Sequence, residues 1–378
     1  MAYLVILIFI DMPYSICDSI PDHRVTGRCT YKLSDLLTIA LLTYVCNGED
    51  YVDMSEFAHA RARDFGLLED CASSPSPDTF ERLMSAVNPD QIEWCLAESG
   101  KQFLSSLAEK QVVLDGKKLR GANPTARGNM GDYLLNAFVS ENELLIGQLR
   151  VEDKENEIPA YPLLLDKINI EEAVVSIDAM GTQVEVAQKI LDKKAHYFLA
   201  VKDNQKGLHG AVSEAFRLNA PTDTATEMGG GHGRVEARTF RILPAEAVAE
   251  ADVANRWPEL KTIAEVETEV FFKKTGETAR TFRHYISDET FPKAAYYNML
   301  ARGHWSIENL LHWHLDVTFL EDCSRARKGN AAQNLSLIRK LALQIVKAYN
   351  DKRSLRKRLF KASLDPNYLL ELLLNYQI

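Results

Sequence analysis

Between Val174 and Val201 the chain passes from a strand pattern to a helical pattern and back. Val174 to Ile177 is short, apolar and β-branched, as a buried strand is. It runs into Asp178 and a Gly-containing turn. A helical pattern follows from Val184 to about Lys193, and His196 to Val201 reads as the next strand. Upstream, Gln111 to Leu114 is an apolar run that meets Asp115-Gly116. Tyr133 to Ser140 and Leu144 to Val151 are two more strand-like runs, joined at Glu141-Asn142-Glu143 as a hairpin. Ile158 to Ile168 is helical, opened by Pro159. The predicted order is strand, strand, strand, helix, strand, helix, strand. The first three suit an antiparallel meander and the rest suit parallel crossovers. The predicted fold class is α/β: an RNase H-like mixed sheet with flanking helices.

Two regions depart from this alternation. Residues from about 20 to 110 read as helical throughout. Ser34 is placed to cap a dense apolar helix that Asn47-Gly48 ends, Met54 to Arg63 is amphipathic, and Ser76 starts another helix after a Ser/Pro-rich break. Arg61, Arg63 and Arg82 make this region either a DNA-binding module or a packing domain. From Gly207 to about Asp288 the pattern predicts a β-rich insertion, with strands at Arg234–Leu243, Thr262–Lys273 and Ala279–Ile286 and a flexible loop at Gly229–Gly233. Phe291 to Phe319 and Ala331 to Tyr349 are helical, the second suited to close against the sheet. The expected division is 1–108, an N-terminal helical domain; 109–206, the first part of the catalytic core; 207–290, the insertion; and 291–378, the C-terminal helical part with a basic tail.

The composition is that of an ordinary globular chain of 378 residues with a net charge of -9. That sum conceals a basic stretch from Arg302 to Lys361, able to meet phosphate locally. The six cysteines lack a CxxC pair, which excludes a zinc ribbon and fits reduced thiols in the cytosol. The apolar start, Met1 to Ile10, has no basic flank and is too short to span a bilayer as a helix, so no membrane association is expected.

Three acids stand out. Asp115 and Asp178 end the first and fourth strands, which such a sheet places side by side, and ligands collect at strand C-termini. Glu308 lies mid-helix among Trp305, Ile307 and Leu311, with Trp305 read as core. Three carboxylates suit hard cations, Mg²⁺ or Mn²⁺. Two such ions about 3.5–4 Å apart activate a nucleophile and stabilise the leaving oxygen of an in-line phosphoryl displacement. Glu321-Asp322 is the reserve choice for the third acid. A rival pattern is the spacing of His304, Glu308 and His312, which could hold zinc on one helix face, although no His-Glu-x-x-His motif is present.

Six motifs in order carry a resemblance: Leu114-Asp-Gly-Lys117, Lys154-Glu-Asn-Glu157, Ser176-Ile-Asp-Ala-Met-Gly-Thr-Gln183, Val201-Lys-Asp-Asn-Gln205, Gly231-His-Gly-Arg-Val-Glu-Ala-Arg238 and His304-Trp-Ser-Ile-Glu-Asn309. They resemble those of DDE transposases from bacterial insertion sequences, nearest to the ISAs-type branch with the H-repeat-associated proteins. The resemblance runs from about Ile20 to Val346. It implies metal-dependent DNA cleavage and strand transfer at element ends, with Asp115, Asp178 and Glu308 as the metal-binding triad. It also implies self-association in a synaptic complex and a cytoplasmic location. The wider family often carries a Tyr and an Arg before the Glu and a Lys after it. Here His304 and Leu315 hold the Arg and Lys positions, so Arg302, Arg325 or Arg327 is left to supply that charge. Further DNA contacts are expected from Lys117, Arg120, Lys202, Asn204, Gln205, His232, Arg234 and Arg238. For each of these the plain alternative is a solvated turn, a cap or a surface ion pair. Two other functions stay open on the same fold: a transposase-derived protein that binds DNA without cutting it, and an RNase H-like nuclease.

Overall fold

The computed structural model describes residues 17, 20–69, 71–100, 103–122, 132–151, 157–231 and 233–376. The apolar start, Lys154, Asn156 and His232 lie outside the described residues. A nine-stranded sheet forms the frame, in the order β3-β2-β1-β4-β5-β9-β8-β7-β6. The first part is the expected RNase H-like arrangement. β1 (Gln111–Lys118), β2 (Tyr133–Val139) and β3 (Leu144–Val151) are antiparallel neighbours. β4 (Val174–Ile177) and β5 (His196–Val201) run parallel to β1. β2 and β4 are buried at every position, as strands covered on both faces must be.

The covering layers follow from alternation along the strands. Val112 and Leu114 face α5 (Glu157–Lys167), α6 (Val184–Asp192) and α7 (Lys206–Leu218). Val113 faces the opposite layer, together with Phe138 and Leu145. By the two-residue period, Asp115 and Lys117 point to the Val113 side. That layer holds α1 (Leu33–Val45), α2 (Tyr51–Arg61), α3 (Pro77–Ala86) and α4 (Pro89–Gly100). It also holds α9 (Ala331–Ala348), α10 (Leu355–Leu364) and α11 (Pro366–Tyr376), and all of these helices share one hydrophobic core. Segments that the sequence pattern divides at 108 and 291 are therefore joined in packing. α8 (Ala294–His304) packs on the sheet through Tyr297 and Leu300, against Phe198, Phe240 and Tyr285.

Several local expectations change. The insertion does not stand apart from the sheet: β9 (Thr278–Ser287) pairs with β5, and β8 (Thr262–Phe272), β7 (Arg234–Pro244) and β6 (Asp223–Gly231) continue the same sheet. Gly229 to Gly231 belong to β6, because pairing with β7 holds an edge strand without buried side chains. α1 begins at Leu33, which is buried, so Ser34 lies inside the helix and caps nothing. Trp305 is 47% exposed rather than core. The basic tail contains two helices. α11 buries Tyr368, Leu369, Leu372, Leu373 and Tyr376 at helical spacing. Among the described residues no helix is long and apolar enough to cross a membrane. The six cysteines stand as thiols, without a disulfide.

Candidate active site

The parallel register aligns Leu114 with Ile177, so Asp115 and Asp178 follow as neighbours on adjoining strands. Their surroundings differ. Asp178 caps its own turn: its Oδ1 accepts from the amides of Met180 (3.0 Å) and Gly181 (3.2 Å). The turn is fastened to β5 by Thr182, whose hydroxyl donates to Ala200 O at 2.6 Å. Asn204 and Gln205 fasten it from below, donating to the carbonyls of Ala179 and Thr182. Asp115 is half-buried, with its Oδ2 buried and without a hydrogen-bond partner.

Glu308 is not on a regular α-helix. After α8 the chain winds more widely, as π-helix, through Ile307–His312 and His314–Thr318. The amide of Trp313 donates to Glu308 O, and that of Phe319 to His314 O at 3.0 Å, each five residues back. Such wide turns are rare and concentrate at functional sites. Ile307, Leu311 and Leu315 are buried in the core that Val113 joins, which turns Glu308 and His312 towards Asp115. His312 Nδ1 lies 3.4 Å from Glu308 Oε2 and 3.5 Å from Asp115 Oδ2. One ligand atom each from Asp115, Glu308 and His312 falls within 4.8 Å of the other two.

The electrostatics follow from burial and crowding. Loss of water raises the Asp115 carboxyl to about 8, and the charges of Glu308 and Asp178 add to the rise. Burial lowers the His312 imidazole below its usual value, and the hydrogen bond from His312 holds Glu308 below its own. Burial also lowers His304, to about 4. A crowded carboxylate pair with an unpartnered buried oxygen is a donor set that fits a hard divalent cation. His304 does not share the face. Its Nδ1 turns to Ser176 Oγ at 3.2 Å, because the winding changes between His304 and Glu308. The zinc pattern is thereby broken.

The other expected residues divide into two groups. Arg120, Lys202, Arg234 and Arg325 are exposed, and among the described residues the last three have no ion pair; Arg120 lies 3.7 Å from Asp322. The rest are engaged within the protein. Lys117 is buried among Asp316, Glu321 and Asp322. Glu321-Asp322 thus faces Lys117. Arg238 pairs with Glu236, Arg302 with Glu227 at 2.8 Å, and Arg327 donates to Gly121 O at 3.2 Å. Asn204 and Gln205 spend their amide donors on the Asp178 turn. Sequence reasoning placed His312 only in the rival zinc pattern with His304, and not beside Asp115. It missed Arg283, whose guanidinium lies over the exposed Trp305 ring at 5.2 Å. No local pattern marks that pair, since strand and helix meet only in three dimensions.

A sheet of this order, with Asp115 on its first strand and Asp178 just past its fourth, has the arrangement of RNase H-like DDE enzymes. Residues 107–345 match the family model described as the transposase DDE domain, and residues 15–98 match the model described as DDE_Tnp_1-associated. The chain belongs to the DDE transposase family. It is 33% identical over 362 residues to "Putative transposase YncI" of Escherichia coli O157:H7, covering 94% of this chain and 92% of that one. It is 32% identical over 368 residues to "H repeat-associated putative transposase YhhI" of Escherichia coli strain K12, covering 94% and 95%. Among solved structures, a piggyBac transposase synaptic complex with hairpin DNA aligns with a TM-score of 0.42 at 11% identity, over 98% of this chain and 78% of that one.

Proposed function

We propose that this transposase cleaves DNA at the ends of its own element and joins them to a target, with Asp115, Asp178 and Glu308 holding two Mg²⁺ or Mn²⁺ ions. The observation that carries the reading is the convergence of Asp115 and Glu308 with a buried, unpartnered carboxylate oxygen between them. Divalent cations at such a site lower the pKa of an attacking water or hydroxyl and stabilise the leaving oxygen. The protein's part is to keep these acids on a rigid frame. β1 fixes Asp115, the capped turn fixes Asp178, and the wide-turn segment presents Glu308. Asp115 would give up its proton on taking a cation, and His312 holds Glu308 through Nδ1.

Arg120, Lys202, Arg234 and Arg325 are exposed cations suited to DNA phosphates, as are Lys352, Arg356 and Lys357 beside and on α10. Arg63 and Arg82 in the N-terminal helical region can extend that surface, whereas Arg61 donates to Ser363 O and packs on Phe57 and Phe65. Bringing two element ends together requires at least two copies of the chain. The setting is the bacterial cytosol.

The test is Mg²⁺- or Mn²⁺-dependent cleavage of DNA bearing the element's own ends, wild type against Asp178→Asn. The expected result is cleavage by the wild type and none by the variant. Equal cleavage by both would overturn the assignment. Tight end binding by a wild type that never cuts would make this a DNA-binding protein without catalysis.

A further inference from the structure

Lys117 is in an unusual position for a residue next to a cation site. It follows Asp115 on the same face of β1 and is only 7% exposed. Its ammonium pairs with Asp316, and lies 3.7 Å from Glu321 Oε2 and 4.0 Å from Asp322 Oδ1. Glu321 is 3% exposed, and neither of its carboxylate oxygens has a hydrogen-bond partner. Three carboxylates around one centre are an oxygen donor set of the kind that takes Mg²⁺ or Mn²⁺. Here the centre is filled by a primary amine carried on the chain. The surrounding backbone is close-fitting. A Cβ at Gly121 would lie 2.5 Å from Asp322 O and 2.3 Å from Ser324 O, so the 322–324 turn rests directly on the chain that leaves β1. Lys340 is a second buried cation on this side of the sheet. It is committed to Asn136, donating to Oδ1 at 2.6 Å, and to Gln148.

We propose that Lys117 is a resident cation: its ammonium fills the Asp316–Glu321–Asp322 pocket, pins the Glu308 segment to β1, and keeps divalent ions out of a second acidic pocket beside the catalytic one. The proposal rests on the assignment of Asp115 and Glu308 as metal-holding residues. Lys117 is a positioning and selectivity residue and touches no reacting atom. Removing a buried cation from among three acids leaves charge that must be neutralised by protonation, by unfolding or by a new counter-ion. The pocket's geometry favours the counter-ion.

The experiment is Mn²⁺ binding to the full-length protein by calorimetry, read as ions per chain, with melting measured with and without Mn²⁺. Lys117→Arg keeps the charge and is expected to bind as many ions as wild type. Lys117→Ala is expected to bind one more, and Lys117→Ala with Glu321→Gln to lose that extra ion. If Lys117→Ala is unfolded without metal, millimolar Mn²⁺ is expected to restore its folded melting transition. A folded Lys117→Ala with wild-type stoichiometry, or one that stays unfolded in Mn²⁺, would overturn the proposal. Asp115→Asn reports on the underlying assignment separately: it removes ions from the catalytic site in either background. If Asp115→Asn leaves the count unchanged while Lys117→Ala still adds an ion, the triad assignment fails and the pocket remains.

Discussion

Asp115 within β1 and Asp178 just past the end of β4 are neighbours on adjoining parallel strands, and the protein treats them in opposite ways. Asp178 is stabilised by two backbone amides of its own turn. Asp115 is stripped of water, crowded by like charge, and left with an unpartnered oxygen. Each is followed by a glycine that an aromatic ring presses upon: Gly116 against Tyr133, and Gly181 against Tyr161. The neighbouring strands therefore supply a location, and the surroundings decide the chemistry. One acid is fixed by the amides of its own turn. The other is crowded by like charge and left with a buried oxygen to satisfy.

The contrast can be sharpened through metal affinity, where the expected effect is largest. A proton and a cation compete for Asp115, so Mn²⁺ affinity should climb with pH, by about tenfold per unit, until it levels near pH 8. Calorimetry between pH 5 and about 8.5 measures this. A flat profile would mean that Asp115 is not the group that sets affinity.

Stability without metal is the next test. The folded pKa of Asp115, about 8, lies above its usual 3.8. Its contribution is therefore whole below the unfolded value and is lost as pH rises through the folded one. Asp115→Asn cannot ionise. It should exceed the metal-free wild type in stability by an amount that grows with pH, on the order of a few kcal/mol by pH 8. Denaturant unfolding in EDTA reads the difference.

The smallest effects concern the two glycines. A Cβ at Gly181 would lie 2.3 Å from Ile177 Cγ2 and 2.7 Å from the Tyr161 ring, and both residues are wholly buried. At Gly116 it would lie 2.0 Å from the Tyr133 hydroxyl and 2.2 Å from its ring, all on the outer end of one side chain. Gly181→Ala should cost about 1–3 kcal/mol and Gly116→Ala less, because a tyrosine tip can swing where a packed core cannot. Thermal melting of the two variants ranks them. The reverse order would show that the Asp115 side is the more rigid.

The strands, their order in the chain and the nearness of the two acids were legible in the sequence, because strand and helix periodicities are local and β1 to β5 obey them; β1 runs on to Lys118, so Asp115 lies within it rather than at its tip. Glu308 was legible too, as an acid in an apolar helical run and through its resemblance to a family motif. Tertiary structure alone decided the rest. Lys117 reads as a turn cation beside Asp-Gly, yet its partner Asp316 is 199 residues away. His312 reads as one of three evenly spaced histidine-helix ligands, yet the change to wide winding parts it from His304 and turns it to Asp115. The insertion reads as a β-rich break in the alternation, and only the fold shows that its last strand returns to pair with β5. Periodicity reports which residues seek burial. It does not report which distant charges meet once burial is satisfied, since that depends on how independently formed elements pack.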